Sequence, residues 1–123
     1  MLENPSSEKE GWDSSVALFG NHRMRLGSFS SSLCRFNPKE FLNLLARYKF
    51  AAKLACKRGT ILELGCGDGV GATILGENIA SYLGIDPDPE AIQVAIANTA
   101  QSFAPQKYRF LCDPSRCQIR CYG

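Results

Sequence analysis

The sequence predicts an α/β fold, a doubly wound parallel sheet that is incomplete, with about three strands and flanking helices. Apolar runs at residues 60–64, 81–85 and 108–112 have the length and composition of buried strands. Helical patterns lie between them, at about 70–79 and from 88 to about 101. Strands that alternate with helices favour parallel pairing with right-handed crossovers. A glycine-rich turn directly after the first strand is typical of the same class.

Length and composition indicate one small globular domain. The chain has 123 residues, of which 45% are hydrophobic and 21% charged. A net charge of +2 indicates solvated surface charge and gives no reason to expect nucleic acid or a membrane surface as a partner. The polar residues 1–10 lack the apolar region of a secretory signal, and no run approaches the length of a membrane span. We therefore expect a cytoplasmic protein.

The cysteines are expected to be reduced thiols, because the sequence has no export signal. There are six of them: Cys34, Cys56, Cys66, Cys112, Cys117 and Cys121. The last three are not spaced like zinc ligands, and the single histidine, His22, is remote in sequence. We expect no metal site.

Four segments follow one another along the chain. Residues 1–15 are rich in Ser, Glu and Lys and are expected to form a flexible arm. Residues 16–59 are expected to hold a loop and a helix, with irregular structure over 16–36 that either packs over a ligand site or forms a surface loop. Residues 60–112 are expected to form the ligand-binding half of the sheet domain, and residues 113–123 an irregular tail.

The helix before the sheet has a clear start and stop. Asn37 is a cap, Pro38 suits the first helical position, and Glu40 stands three residues after the cap. Gly59 ends the segment after a cationic last turn. Apolar side chains recur at helical spacing at Phe41, Leu44, Leu45, Tyr48, Ala51, Ala52 and Ala55. The pattern predicts a helix over about 38–57 that lays this stripe on the sheet.

The glycine turn fits two kinds of cofactor. The stretch from Gly67 to Ala72 has the G-x-G-x-x-A form of a nicotinamide or flavin site. However, Glu63 lies near the end of the first strand, just before the turn, and Asp68 lies within the turn, so two carboxylates would repel a pyrophosphate. A ligand with an ammonium group, a sulfonium and no phosphate suits these charges better, and S-adenosylmethionine is such a ligand. Asp86, at the end of the second strand, offers two oxygens to the two hydroxyls of its ribose.

Two motifs in this order carry a family resemblance. The stretch from Glu63 to Gly69 resembles motif I of the class I S-adenosylmethionine-dependent methyltransferases, and that from Gly84 to Pro89 resembles the acidic loop after their second strand. The resemblance covers about residues 20–112. It implies a Rossmann-like fold and an enzyme that transfers a methyl group from S-adenosylmethionine to an acceptor, which is either a small molecule or a macromolecule. The sequence does not identify the acceptor or a catalytic base.

The resemblance also implies roles for particular residues. The backbone of Gly65, Cys66 and Gly67 would contact the methionine moiety. Glu63 would face the methionine amino group, and Asp86 would hold the ribose. Asp113 falls where the family places an acidic residue that meets the adenine amino group. Two alternatives stay open: a non-catalytic remnant that binds the cofactor, and an NAD-dependent oxidoreductase on the same fold.

The chain departs from the family after its third strand. Class I enzymes have a seven-stranded sheet, and residues 113–123 resemble none of their later motifs. This favours a truncated or frame-shifted end. Without a fourth strand, the first strand becomes an edge with unpaired backbone groups and uncovered apolar side chains. We therefore expect self-association through the exposed sheet edge and doubtful activity of the chain by itself.

Overall fold

A computed structural model describes residues 5–19, 23–55, 57, 59–102 and 104–114. In chain order the elements are α1 (Pro5–Phe19), α2 (Ser28–Phe36), α3 (Pro38–Leu54), β1 (Thr60–Leu64), α4 (Val70–Leu75), a 3-10 turn (Gly76–Asn78), β2 (Ser81–Asp86), α5 (Pro89–Ala100), a second 3-10 turn (Pro105–Lys107) and β3 (Tyr108–Cys112). No helix in these ranges is long and apolar enough to cross a membrane.

The strands form one parallel sheet in the order β1-β2-β3, with β2 in the centre. Ile61 lies opposite Tyr82, which in turn lies opposite Tyr108. The predicted α/β class is confirmed: this is an incomplete, Rossmann-like sheet of three strands with flanking helices. The predicted strand limits are also confirmed, apart from one extra residue, Asp86, at the end of β2.

The core lies on one face of this sheet. Because side chains two residues apart on a strand share a face, Ile61, Tyr82, Tyr108 and Phe110 point to the same side. Helices α3, α4 and α5 all pack against this face; they contribute Tyr48, Ala52, Ala72, Leu75 and Ile92 to one cluster. On the opposite face, Leu62, Leu64 and Leu111 are each more than half exposed.

The N-terminal part contains more helix than the sequence predicted. The expected arm over 1–15 is helical from Pro5, and the expected irregular stretch over 16–36 contains α2. The serines of α2 favoured a loop, because their side chains compete for backbone hydrogen bonds. In the folded chain, α2 packs beside α3, and this tertiary contact overrides the local preference.

The helix caps form as predicted. The side chain of Asn37 accepts from the Glu40 N–H at 3.4 Å, and that of Asp88 accepts from the Glu90 N–H at 3.0 Å. Helix α3 ends at Leu54, a turn earlier than predicted, and α4 passes into the 3-10 turn after Leu75. The predictions for His22, Cys56, Cys117, Cys121 and most of the tail 113–123 fall outside the described residues.

Candidate functional site at the carboxyl edge of the sheet

The glycine turn continues the pairing of β1 with β2 and then leaves the sheet. The N–H groups of Gly65 and Cys66 both donate to the Ile85 carbonyl, at 2.7 and 3.2 Å. Gly65 and Gly67 have φ values of +79° and +57°, in the left-handed region that favours glycine. A Cβ at either position would meet nothing within 4 Å. The turn therefore presents bare backbone to open space, as the approach of a ligand requires.

Asp86 links the end of β2 to this turn. One of its carboxylate oxygens accepts from the Gly67 N–H and the other from the Asp88 N–H, each at 2.9 Å. An ionised carboxylate has about four lone-pair positions, so about two stay available to a ligand diol. The chain also brings Asp113 to this edge, because its N–H donates to the Asp86 carbonyl at 3.1 Å. Two of the predicted acidic site residues thus lie at adjacent strand ends.

Glu63 stands at the same edge, on the core face of the sheet. Its carboxylate accepts from the Tyr82 hydroxyl at 2.6 Å, and the Tyr48 hydroxyl approaches it as well. Burial raises the pKa of Glu63, the two tyrosine hydroxyls act in the opposite direction, and the charge of Asp86 adds to the increase. Sequence reasoning missed both tyrosines as site residues. The period of strand β2 and the apolar stripe of α3 placed them on the core side but could not show that they meet Glu63.

Cys66 has its side chain in the core, with 3% of its surface exposed. Burial, followed by the nearby charges of Asp86 and Glu63, raises the pKa of its thiol to about 12. A thiol with such a pKa is protonated at neutral pH and is a poor nucleophile. The backbone of Cys66, rather than its sulfur, is the part that belongs to the turn.

Asp68 is buried and hydrogen-bonded, although its position in the turn suggested a carboxylate open to a ligand. Only 6% of its surface is exposed, and its carboxylate accepts from the Gly27 N–H at 2.7 Å and the Val70 N–H at 3.2 Å. It therefore ties the start of α4 to a distant part of the chain. Two backbone donors partly balance its charge, so it repels an incoming anion less than an unpaired carboxylate would.

The segment Arg25–Gly27, here called the strap, lies against the glycine turn. Asn98 holds it: its side-chain amide donates to the carbonyls of Arg25 and Asp68 at 2.9 and 2.8 Å, and its side-chain oxygen accepts from the Arg25 N–H at 2.9 Å. The strap therefore lies beside the glycine turn, and whether it covers a bound ligand stays a prediction. It also helps to wall a cavity of about 580 Å³ that lies between α2 and the start of α5 and reaches Gly67.

The described part of the chain holds no group of three His, Cys, Asp or Glu side chains arranged to bind a metal ion. Cys34, Cys66 and Cys112 are free thiols there.

The parallel sheet, the glycine turn after β1 and the acid at the end of β2 define an incomplete Rossmann-like fold. Residues 35–116 match a family model described as a methyltransferase domain. This is more than half of the chain, and the chain belongs to that family.

The chain was also compared with curated proteins and with solved structures. No curated protein has significant sequence similarity to the chain. Among solved structures, the chain is similar to the YcgJ protein from Bacillus subtilis, with 23% identity and a TM-score of 0.48. That match covers 59% of this chain and 32% of the YcgJ chain, so the matched part spans about a third of that protein's length.

Proposed function

We propose that the chain binds S-adenosylmethionine at the carboxyl edge of β1 and β2, as the cofactor half of a methyltransferase. The observation that carries this proposal is the hydrogen bond from the Gly67 N–H to Asp86, which joins the open glycine turn to the acid at the end of β2. It places a bare backbone surface beside a carboxylate that still has acceptor positions. A methionine chain next to a ribose diol fits these two neighbouring features.

The same contacts disfavour a dinucleotide. A pyrophosphate in a Rossmann site takes hydrogen bonds from the turn and from the following helix N-terminus. Here the Gly67 N–H already donates to Asp86 and the Val70 N–H to Asp68. Two donors that phosphates need are thus occupied by carboxylates, and the charge of those carboxylates opposes a phosphate further.

The residues of the chain then have separate tasks. The backbone of Gly65, Cys66 and Gly67 orients the methionine part, Glu63 receives its ammonium group, and Asp86 holds the ribose hydroxyls. Asp113 is proposed to accept from the adenine amino group. The cofactor, when bound, supplies a methyl group activated by the sulfonium charge, so the protein contributes mainly proximity and alignment. The acceptor, a small molecule or a macromolecule, is not assigned.

A chain that binds the cofactor without turnover is the second candidate. Strand β1 pairs with β2 only, and Leu62 and Leu64 on it are each 59% exposed. In the described residues β1 is thus an open edge, and α3 lines the groove of about 680 Å³ beside it, so an acceptor there would be incompletely enclosed. Methyl-transfer assays against acceptor libraries separate the two candidates once binding is established.

Calorimetric titration with S-adenosylmethionine, S-adenosylhomocysteine and NAD tests the proposal. We expect the two S-adenosyl ligands to bind and NAD not to bind. Asp86→Ala should weaken S-adenosyl binding by at least about a hundredfold, since it would remove two hydrogen bonds to a charged group, each worth about 1.5–3 kcal/mol. Asp13→Ala, which removes an exposed carboxylate in α1, is the matched control and should have no effect. NAD binding without S-adenosyl binding, or unchanged affinity in Asp86→Ala, would refute the proposal.

A further inference from the structure

Glu63 is a half-buried acid with tyrosine partners from two different elements. Tyr82 comes from β2, two residues before the Gly84 that pairs with Glu63, and donates its hydroxyl to the carboxylate at 2.6 Å. Tyr48 comes from α3 and approaches the same carboxylate. A carboxylate in this setting cannot rotate freely, because movement toward solvent breaks the Tyr82 hydrogen bond.

Both tyrosine rings are themselves fixed by packing. Tyr82 is 1% exposed, and its ring packs in a tilted orientation against those of Tyr108 and Phe110, with centroids 5.8 and 5.7 Å away. The Tyr48 ring lies directly on Gly71 of α4, where any Cβ would overlap it. The two hydroxyls are thus presented to Glu63 by rigid parts of the core rather than by mobile side chains.

We propose that Tyr82 and Tyr48 are positioning residues that hold the Glu63 carboxylate, ionised and correctly oriented, as the receptor for the ammonium group of the cofactor's amino-acid part. This inference rests on the proposed function. A hydroxyl that donates to a carboxylate stabilises its charged form, whereas burial favours the neutral form. Only the charged form attracts an ammonium group strongly, so removal of a hydroxyl should weaken the interaction with the amino acid and leave the adenosine contacts intact.

Two ligands that differ only at the amino-acid part test this assignment. S-adenosylhomocysteine has the amino acid, and 5′-methylthioadenosine is a thioether of the same adenosine without it. We expect Tyr82→Phe to weaken S-adenosylhomocysteine binding by about tenfold, and Tyr48→Phe by less, because Tyr48 has the smaller effect of the two on the Glu63 carboxylate. Both variants keep the aromatic ring, and binding of 5′-methylthioadenosine should be unchanged. Tyr108→Phe is the matched control: it alters a third tyrosine of the same cluster, which has no hydrogen bond to Glu63, and should leave the ratio of the two affinities as it is.

A ligand-free measurement supplies an independent readout. Carboxyl carbon NMR titration should show the pKa of Glu63 rising further in Tyr82→Phe, since burial is then less opposed. As the pH is lowered, Glu63 becomes protonated and the affinity for S-adenosylhomocysteine falls. In Tyr82→Phe this fall should begin at a higher pH than in the wild type. Equal losses for both ligands, or an unchanged Glu63 pKa, would show that the tyrosines only stabilise the fold and would overturn the assignment. If the wild type binds 5′-methylthioadenosine and S-adenosylhomocysteine equally well, the inference fails while the proposed function stands; if it binds neither, the proposed function fails.

Discussion

Asn98 holds the strap beside the glycine turn together with Asp68, which accepts from the Gly27 N–H, and the removal of Asn98 should loosen the strap. Asn98 is 8% exposed and makes three hydrogen bonds of 2.8–2.9 Å, two to the backbone of Arg25 and one to the carbonyl of Asp68. Each such bond contributes about 0.5–1.5 kcal/mol net, and a buried group left unpaired costs about 1–3 kcal/mol. We expect Asn98→Ala to lower the free energy of unfolding by about 2–4 kcal/mol, with the lower value applying if water reaches the freed Arg25 backbone.

Urea unfolding followed by circular dichroism measures this loss. Asn98→Asp is an informative partner variant, because it keeps the acceptor for the Arg25 N–H but replaces two donated hydrogen bonds by repulsion between oxygens. It should be at least as destabilising near neutral pH. Gln93→Ala, an exposed position on the same helix, is the control and should change stability by less than about 0.5 kcal/mol.

Limited trypsin digestion shows whether the loss is located at the strap. Cleavage after Arg25 should be faster in Asn98→Ala than in the wild type, since its backbone is no longer held. A change in unfolding free energy no larger than that of Gln93→Ala, together with unchanged cleavage, would refute the conclusion that Asn98 holds the strap on the turn.

Three further predictions follow from the packing and charges. In urea unfolding, Gly71→Ala should destabilise the chain by about 1–3 kcal/mol because its Cβ would displace the Tyr48 ring. The control Gly11→Ala, where a Cβ meets nothing within 4 Å, should be neutral or stabilising by about 0.5–1 kcal/mol. Glu63→Gln should be more stable than the wild type at pH 7. The pKa of Glu63 is raised on folding, so the wild type loses stability as the pH rises above the ordinary pKa of a carboxyl group. Parallel curves of unfolding free energy against pH for the two proteins would contradict this. Leu64→Lys should reduce the self-association expected at the open β1 edge, as sedimentation velocity would show; a wild type that stays monomeric at all concentrations would exclude that association.

Much of the sheet region could be predicted from the sequence, because its signals are local. Short, mainly apolar runs located β1 and β3, and the glycines between β1 and α4 indicated a turn with left-handed backbone. Caps at Asn37 and Asp88 located the starts of α3 and α5 for the same reason. Each of these features depends on residues within a few positions of one another.

The N-terminal helices were not predicted, because their local signal is ambiguous. Helix α2 contains four serines among its nine residues, a composition that is equally common in loops. Its packing beside α3 decides its conformation, and that contact cannot be read from the segment itself.

The sequence by itself determined that this chain is an α/β protein with a glycine turn between two strands that end in acids, since spacing and residue type suffice for such patterns. Only the tertiary structure decided what those acids contact. Asp68 meets Gly27 and Asn98 meets Arg25 across 41 and 73 residues of sequence, and Glu63 meets Tyr82 through the register of two strands. Contacts of this kind arise from the way elements pack, and packing depends on the whole chain at once rather than on any one segment.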